Sequence, residues 1–276
     1  MSDPTSPDFQ FFETRPPAGL SDLIEGIWFI RSSAATCPET QRLLPDGRIE
    51  IVFNLADRFR HLRSPGEAHT QPRQLVVGPT SRSMLIEPTG EIDIVGVRIR
   101  PGAARAFFPD VLPTMRDNTA DLADIGNIFA RDLFDRLQET RAPEARSALL
   151  SHALQRAARR DRLEPRVTGA CGAIHHSGGS LSVDEIVRQT GTSARTLERL
   201  FLKQTGVGPK LLLMLTRFQH VVRRADTCGL LQAALDAGYF DQSHFIRDFQ
   251  TFAGVAPSVF FGAENRMSDA FTSEGR

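Results

Sequence analysis

The chain has 276 residues, of which 41% are hydrophobic and 24% charged, and its formal net charge is zero. That is the profile of an ordinary soluble globular protein of one large or two average domains. It argues against a chain built throughout for nucleic acid, although a global charge averages over local patches. Cys37, Cys171 and Cys228 are odd in number, far apart and form no CxxC pair, so neither a disulfide framework nor a zinc knuckle is suggested and a reducing compartment is expected.

The segment Met1 to Gln10 is polar and contains proline, without the basic region and apolar run of a signal peptide. The longest apolar cluster, Leu211 to Leu215, is too short to span a bilayer. A cytoplasmic location without a membrane partner is the expectation.

From Phe9 to Phe108 the pattern is strand-like. Ile49, Ile51, Phe53 and Leu55 alternate with Glu50, Val52 and Asn54, the period of a strand with one buried face. Pro45-Asp46-Gly47 before it is turn chemistry. Asp93 to Ile99 predicts a second strand, and Gly26 to Arg31, Leu75 to Gly78 and Ser83 to Ile86 are further candidates. Several short strands separated by turns predict an antiparallel β-barrel or sandwich. The polar stretch Arg58 to Gln74 reads as a long loop or an irregular hairpin. Asp46 reads as a turn aspartate and Glu50 as a solvent-facing glutamate, rather than as ligand-polarising groups. Arg98 and Arg100 read as a solvated strand face in preference to an anion site.

From Ala120 the period becomes helical. Leu122, Ile125, Ile128, Phe129, Leu133 and Leu137 make one amphipathic stripe. A second helix is predicted over Glu144 to Arg160, with Leu149, Leu150, Ala153, Leu154 and Ala157 on its apolar face. These helices are expected as an interdomain connector, a dimer seam, or a layer packed on the strands.

The C-terminal part contains an internal repeat. Leu197-x-Arg199-x-Phe201, followed by Gly206-x-x-Pro209, recurs as Phe245-x-Arg247-x-Phe249, followed by Gly254-x-x-Pro257, at a fixed offset of 48 residues. Each copy follows a glycine-led turn, Gly191-Thr192-Ser193 or Gly238-Tyr239-Phe240-Asp241, and a short apolar helix. Val183, Ile186 and Val187 mark the first of these helices; Leu231, Ala234 and Leu235 mark the second. Helix, glycine turn, helix is a helix-turn-helix pattern. Ser193 and Asp241 are predicted N-caps. Leu197, Leu200 and Phe201, and Phe245, Phe249 and Phe252, form the buried faces. Arg195, Glu198 and Arg199, and Ser243, His244 and Arg247, are left on the opposite faces. Pro209 and Pro257 suit helix first turns, and Lys210 to Ala225 predicts a rigid joining helix. Ten basic against seven acidic residues from Arg166 to Gly262 imply modest phosphate attraction, with a dimer or two sites needed for tight binding.

Residues 165–262 resemble the DNA-binding domain of the AraC/XylS family of bacterial transcription regulators. The resemblance is carried by Gly238-Tyr-Phe-Asp-Gln-Ser-His-Phe-Ile-Arg-Asp-Phe249 with Gly254-Val-Ala-Pro257, and by Gly191-Thr-Ser-Ala-Arg-Thr-Leu-Glu-Arg-Leu-Phe201. It implies a seven-helix domain whose recognition helices, 193–204 and 242–252, enter successive major grooves. Matching positions imply DNA contacts from Arg195, Glu198, Arg199, Gln242, Ser243, His244 and Arg247. Glu198 stands where glutamine is frequent; its carboxylate either accepts from a cytosine amine or pairs with Arg195. Leu44 to Leu55, Val76 to Pro79 and Gly96 to Gly102 resemble sensor domains found ahead of the same module.

The organisation expected is α+β. Residues 1–118 form a β-rich regulatory or effector-binding domain, 119–163 a helical connector, 164–263 the double helix-turn-helix and 264–276 a flexible tail. The expected partner is double-stranded DNA, with RNA polymerase, a small-molecule effector and a second copy of the chain as candidates. No cofactor, metal site or catalytic residue is assigned. The competing class is a bifunctional DNA-binding protein with an enzymatic N-terminal domain. Its only N-terminal thiol, Cys37, is followed by Pro38 and has no nearby base pattern.

Overall fold

The computed structural model describes residues 9–33, 39–64, 67–109, 111–126, 129, 131–263 and 267. Cys37, Pro65-Gly66 and Ile128 lie outside the described residues. Among the described residues the N-terminal part holds ten strands: β1 (Phe9–Thr14), β2 (Ile24–Ser32), β3 (Gln41–Leu43), β4 (Ile49–Asn54), β5 (Phe59–Ser64), β6 (Glu67–Thr70), β7 (Gln74–Val77), β8 (Met84–Pro88), β9 (Ile92–Ile99) and β10 (Thr119–Asp121). All pair antiparallel, in one six-stranded sheet ordered β1-β2-β9-β4-β7-β10 and one four-stranded sheet ordered β3-β8-β5-β6. The sheets stay open, so the sandwich alternative describes them. Within 58–74, β5 and β6 pair antiparallel, with a register shift between Leu62 and Ser64.

The expectation of one buried face on β4 is corrected. Ile49, Ile51 and Phe53 pack with Phe29, Val95 and Val97 in the main core, and Val52 is also buried, in a second core with Trp28, Ile30, Phe59 and Ile86. The four-stranded sheet covers that second face, so alternation in sequence marks two different cores rather than core and solvent. Trp28 lies across Gly96, its register partner, where a Cβ would meet the indole at 2.1 Å.

Helices follow: α1 (Leu122–Ile125), α2 (Leu133–Glu139), α3 (Pro143–Ala157), α4 (Pro165–His176), α5 (Val183–Thr190), α6 (Ala194–Thr205), α7 (Pro209–Cys228), α8 (Leu230–Asp236), α9 (Gln242–Ala253) and α10 (Pro257–Phe261). The single stripe expected over 122–137 is broken. Gly126, at φ 123°, ends α1 after four residues, a conformation that leaves the helix path and favours glycine. Leu122, Leu133, Leu137, Leu150 and Leu154 still converge on the main core. Helices α2 and α3 therefore form a layer on the six-stranded sheet. Buried Arg146 pins α3 there through two bonds to Asp93 of β9, at 2.6 and 2.8 Å.

The polar side chains on the second face are likewise corrected. Register places Glu50 opposite Arg98, and the two pair at 3.1 Å. Glu13 reaches Arg98 at 3.6 Å across Gly26, which has no Cβ to obstruct it. Arg98 is buried, and burial pushes the Glu50 carboxyl up to about 7 against the pull of Arg98. Both carboxylate and guanidinium are thus held in a charged cluster with Glu13, Asp46 and Arg48 rather than on a solvated face. Arg100 lies beyond β9 and donates to the Ser21 carbonyl at 2.7 Å. Asp46 accepts from the Arg48 amide at 2.9 Å, as a turn aspartate does. Burial raises the Glu25 carboxyl, but Arg48, 2.6 Å away, outweighs it and holds the group below its usual range.

Met267, within the expected flexible tail 264–276, is buried in the core between the sheets and donates its amide to Gln41.

Candidate nucleic-acid interface

The first unit is α5, a turn and α6. Ser182 and Glu185 form a reciprocal capping box that starts α5. Gly191 closes it in the left-handed region at φ 61°, and Ser193 caps α6 by accepting from the Thr196 amide at 3.2 Å. Helix α6 runs one residue later than predicted at both ends, with Ser193 as its N-cap. Ile186, Leu197 and Phe201 pack with Val167 and Ile174 of α4 and Leu212 of α7. That packing turns Arg195, Glu198, Arg199 and Lys203 outward, all exposed.

The second unit is α8, a turn and α9. Gly238 takes φ 84° and Asp241 caps α9 by accepting from the His244 amide at 2.7 Å. Phe245, Phe249 and Phe252 bury against Phe218 of α7 and Phe260 of α10. The expected apolar face of α8 is corrected: Leu231 and Leu235 are 49% and 47% exposed, while Ala233 and Ala234 are buried. Small side chains let the α8 backbone approach α7 closely, and that contact selects the alanine face. Gln242, Ser243 and Arg247 are exposed and His244 is half-buried. The His244 ring packs edge-on against Tyr239 and stands 3.9 Å from Asp248.

All seven predicted contact residues thus lie on α6 and α9. Glu198 makes no ion pair with Arg195; its carboxylate rests against Gly208, the N-cap of α7, where the helix dipole favours negative charge. Helix α7 is 20 residues long, about 30 Å at 1.5 Å per residue, and starts on Pro209 as predicted.

The N-terminal part touches both units, which no local pattern announces. Gly206 and Gly254, the left-handed caps ending α6 and α9, both abut it. A Cβ on Gly206 would meet the Leu112 carbonyl at 2.7 Å, and one on Gly254 would meet Arg42 at 3.3 Å. Arg42 and Ser83 donate to the Ala253 carbonyl at 2.9 and 2.8 Å. Gln219 of α7 donates to the Pro45 carbonyl at 2.8 Å, and Gln204 of α6 to the Gly102 carbonyl at 2.7 Å. Pro113 shares with Arg195 and Arg199 a cleft of about 580 Å³. A second groove, about 990 Å³, runs over α3 between Phe129, Leu133, Leu149 and Ala153, with Arg136 and Arg156 at its rim. Cys171 is buried beside Gly102, and burial pushes its thiol up to about 12, leaving it protonated and unreactive. Among the described residues, no three His, Cys, Asp or Glu side chains gather as a metal set, and no helix is long and apolar enough to cross a membrane.

Residues 12–121 match a family described as a domain of unknown function (DUF6597), and residues 186–263 match a helix-turn-helix domain. No curated protein matches the chain. Among solved structures the chain is similar to ToxT from Vibrio cholerae, at 13% identity, covering 97% of this chain and 100% of that one, with a TM-score of 0.45. An apo lysine-to-alanine variant of ToxT from V. cholerae gives 12% identity over 90% and 99%, with a TM-score of 0.46. ToxT bound to (E)-4-(8-methylnaphthalen-1-yl)but-3-enoic acid gives 13% over 92% and 98%, with a TM-score of 0.44. The two glycine-led units, repeated in sequence and folded as a pair, lie in or overlap the part of the chain that matches the helix-turn-helix domain.

Proposed function

We propose that this protein binds duplex DNA sequence-specifically, with α6 and α9 in successive major grooves and the N-terminal sheets sensing a small molecule or joining two copies. One observation carries the reading. Arg199 and Arg247 occupy the same place in two folded units and are both exposed, and the helix between the units is about 30 Å long. That length is close to one turn of DNA, about 34 Å. Arginine at such a position supplies a bidentate contact to guanine or a clamp on phosphate.

The sensing role is supported by the groove over α3, whose volume suits a drug-sized ligand. It is supported too by the hydrogen bonds that tie the N-terminal part to α6, α7 and α9. A ligand or a second copy acting on the sheets is thereby connected to the placement of both recognition helices. The protein acts by binding, in the cytoplasm, and recruits or obstructs RNA polymerase at its sites.

The test is selection of duplexes from a random library by the full chain, followed by titration of the selected duplex. Arg247→Ala is expected to cost about 1–3 kcal/mol of specific binding and relax the preference at one position. Unchanged affinity and footprint in both Arg247→Ala and Arg199→Ala would refute the assignment.

A further inference from the structure

Phe240 is 89% exposed. A lone surface phenylalanine is unremarkable in itself, so its placement has to carry the argument. It stands directly before Asp241, the N-cap of α9, and after Tyr239, whose ring is buried against His244 and Phe245. Arg217 lies over that ring, 5.8 Å from its centre. With the residue before it packed and the residue after it fixed by the Asp241 cap, the backbone at Phe240 is held on both sides. The ring therefore projects into solvent beside the N-terminal end of a recognition helix. That end is the part of such a helix that meets base edges.

Comparison of the two units shows what the second one lacks. At the offset of 48 residues, Arg195, Glu198 and Lys203 of α6 become Ser243, Ile246 and Thr251 of α9, and Arg247 alone repeats its counterpart Arg199. The second helix thus carries one arginine or lysine where the first carries three, and it adds Asp248 where the first has Leu200. Thr192, the counterpart of Phe240, is only partly exposed, and its hydroxyl is bonded to Thr190 at 3.0 Å. The large apolar side chain belongs to the unit that keeps one of the three cations, Arg247. In the major groove, the one apolar feature that distinguishes a base pair is the thymine C5-methyl group, and phenylalanine is among the side chains that contact it.

We propose that Phe240 is a specificity-determining residue that packs on a thymine methyl in the half-site read by the second unit. The proposal rests on the DNA-binding reading above. It assigns the second unit an apolar component of recognition, beside Gln242, Ser243 and Arg247, while the first unit supplies more of the phosphate attraction.

The experiment uses the full chain and the duplex selected from a random library. Each thymine of the site is replaced in turn by deoxyuridine, which removes only the methyl. For the wild type, one replacement next to the bases affected by Arg247→Ala is expected to weaken binding about fourfold, the equivalent of one buried methyl at about 0.8 kcal/mol. Phe240→Asn should bind thymine and deoxyuridine equally at that place, and Phe240→Leu should restore most of the difference. Phe240 is exposed, so both variants are expected to fold, and their unfolding curves provide the check. The inference is overturned if the wild type and Phe240→Asn respond alike to every replacement while Arg247→Ala still weakens binding. If Arg199→Ala and Arg247→Ala are also without effect, the DNA-binding reading fails, and this inference with it.

Discussion

Gln204 offers the sharpest test of the contact between the two parts of the chain. It sits near the end of α6 and is 1% exposed. Its amide nitrogen donates to the Gly102 carbonyl at 2.7 Å and to Thr168 at 3.0 Å, while its oxygen accepts from the Glu164 amide at 2.7 Å. Gln204→Leu keeps the volume and removes these bonds together with a longer one, from the amide nitrogen to the Glu164 carbonyl at 3.3 Å. Gly102 retains only a 3.5 Å contact from Thr168, and the Glu164 amide loses its side-chain partner at the N-cap of α4. Each buried group left unsatisfied costs about 1–3 kcal/mol, so the expected loss, after the gain from a more apolar side chain, is about 2–4 kcal/mol. Denaturant unfolding should be followed by far-ultraviolet dichroism and by the fluorescence of Trp28, the single tryptophan, which is buried between the sheets. Hydrogen exchange should quicken around residues 102 and 164–168. Gln232→Leu, on the exposed side of α8, serves as the control, with a change within about 0.5 kcal/mol. A Gln204→Leu protein as stable as that control, with unchanged exchange, would refute the tether.

Two further predictions concern stability. Burial alone would raise the Asp93 carboxyl, but the hydrogen bonds and charge of Arg146, then Arg31, outweigh it and hold the group below its usual value. A carboxyl depressed in the folded state contributes stability above its unfolded value, near pH 4, and that contribution is lost as pH falls through the folded value. Unfolding free energy measured from pH 6 to pH 2 should therefore drop at the acid end, and Arg146→Met should flatten the drop; parallel profiles would contradict the pairing. Gly191→Ala and Gly206→Ala both force an L-residue into the left-handed region, at about 1–2 kcal/mol each. Gly206→Ala adds a collision with the Leu112 carbonyl, whereas nothing lies near Gly191. Thermal unfolding should find the Gly206 variant clearly the less stable, and equal losses would show that the N-terminal part does not press on α6.

The helix-turn-helix pair was legible from the residues because its signals are local. A left-handed glycine, a capping serine or aspartate, a proline at a first turn and an apolar spacing each act within a few residues of themselves. The 48-residue offset then states all of them twice. For the same reason six of the seven contact candidates were read from the helix faces, Gln242 being added by the family resemblance, and each lies on α6 or α9. Lys203 and Phe240 were within reach of the same offset, read as a difference between the copies rather than a likeness.

What lay beyond the sequence was everything settled by a second surface arriving from far along the chain. Alternation along β4 shows that two faces differ, but only the four-stranded sheet makes the second face a core. Glu50 and Arg98 look solvated until register sets them opposite one another as an ion pair. Leu231 and Leu235 are as apolar as any core residue, yet the close approach of α8 to α7 buries the alanines instead. The interdomain bonds of Gln204, Gln219 and Arg42 leave no trace in spacing, because a carbonyl acceptor belongs to every residue and carries no identity. Local sequence determined which elements form and which of their side chains carry chemistry. The free energy of burial depends on what else occupies the space, and so the tertiary structure alone decided which faces are buried and which part of the protein packs against α6 and α9.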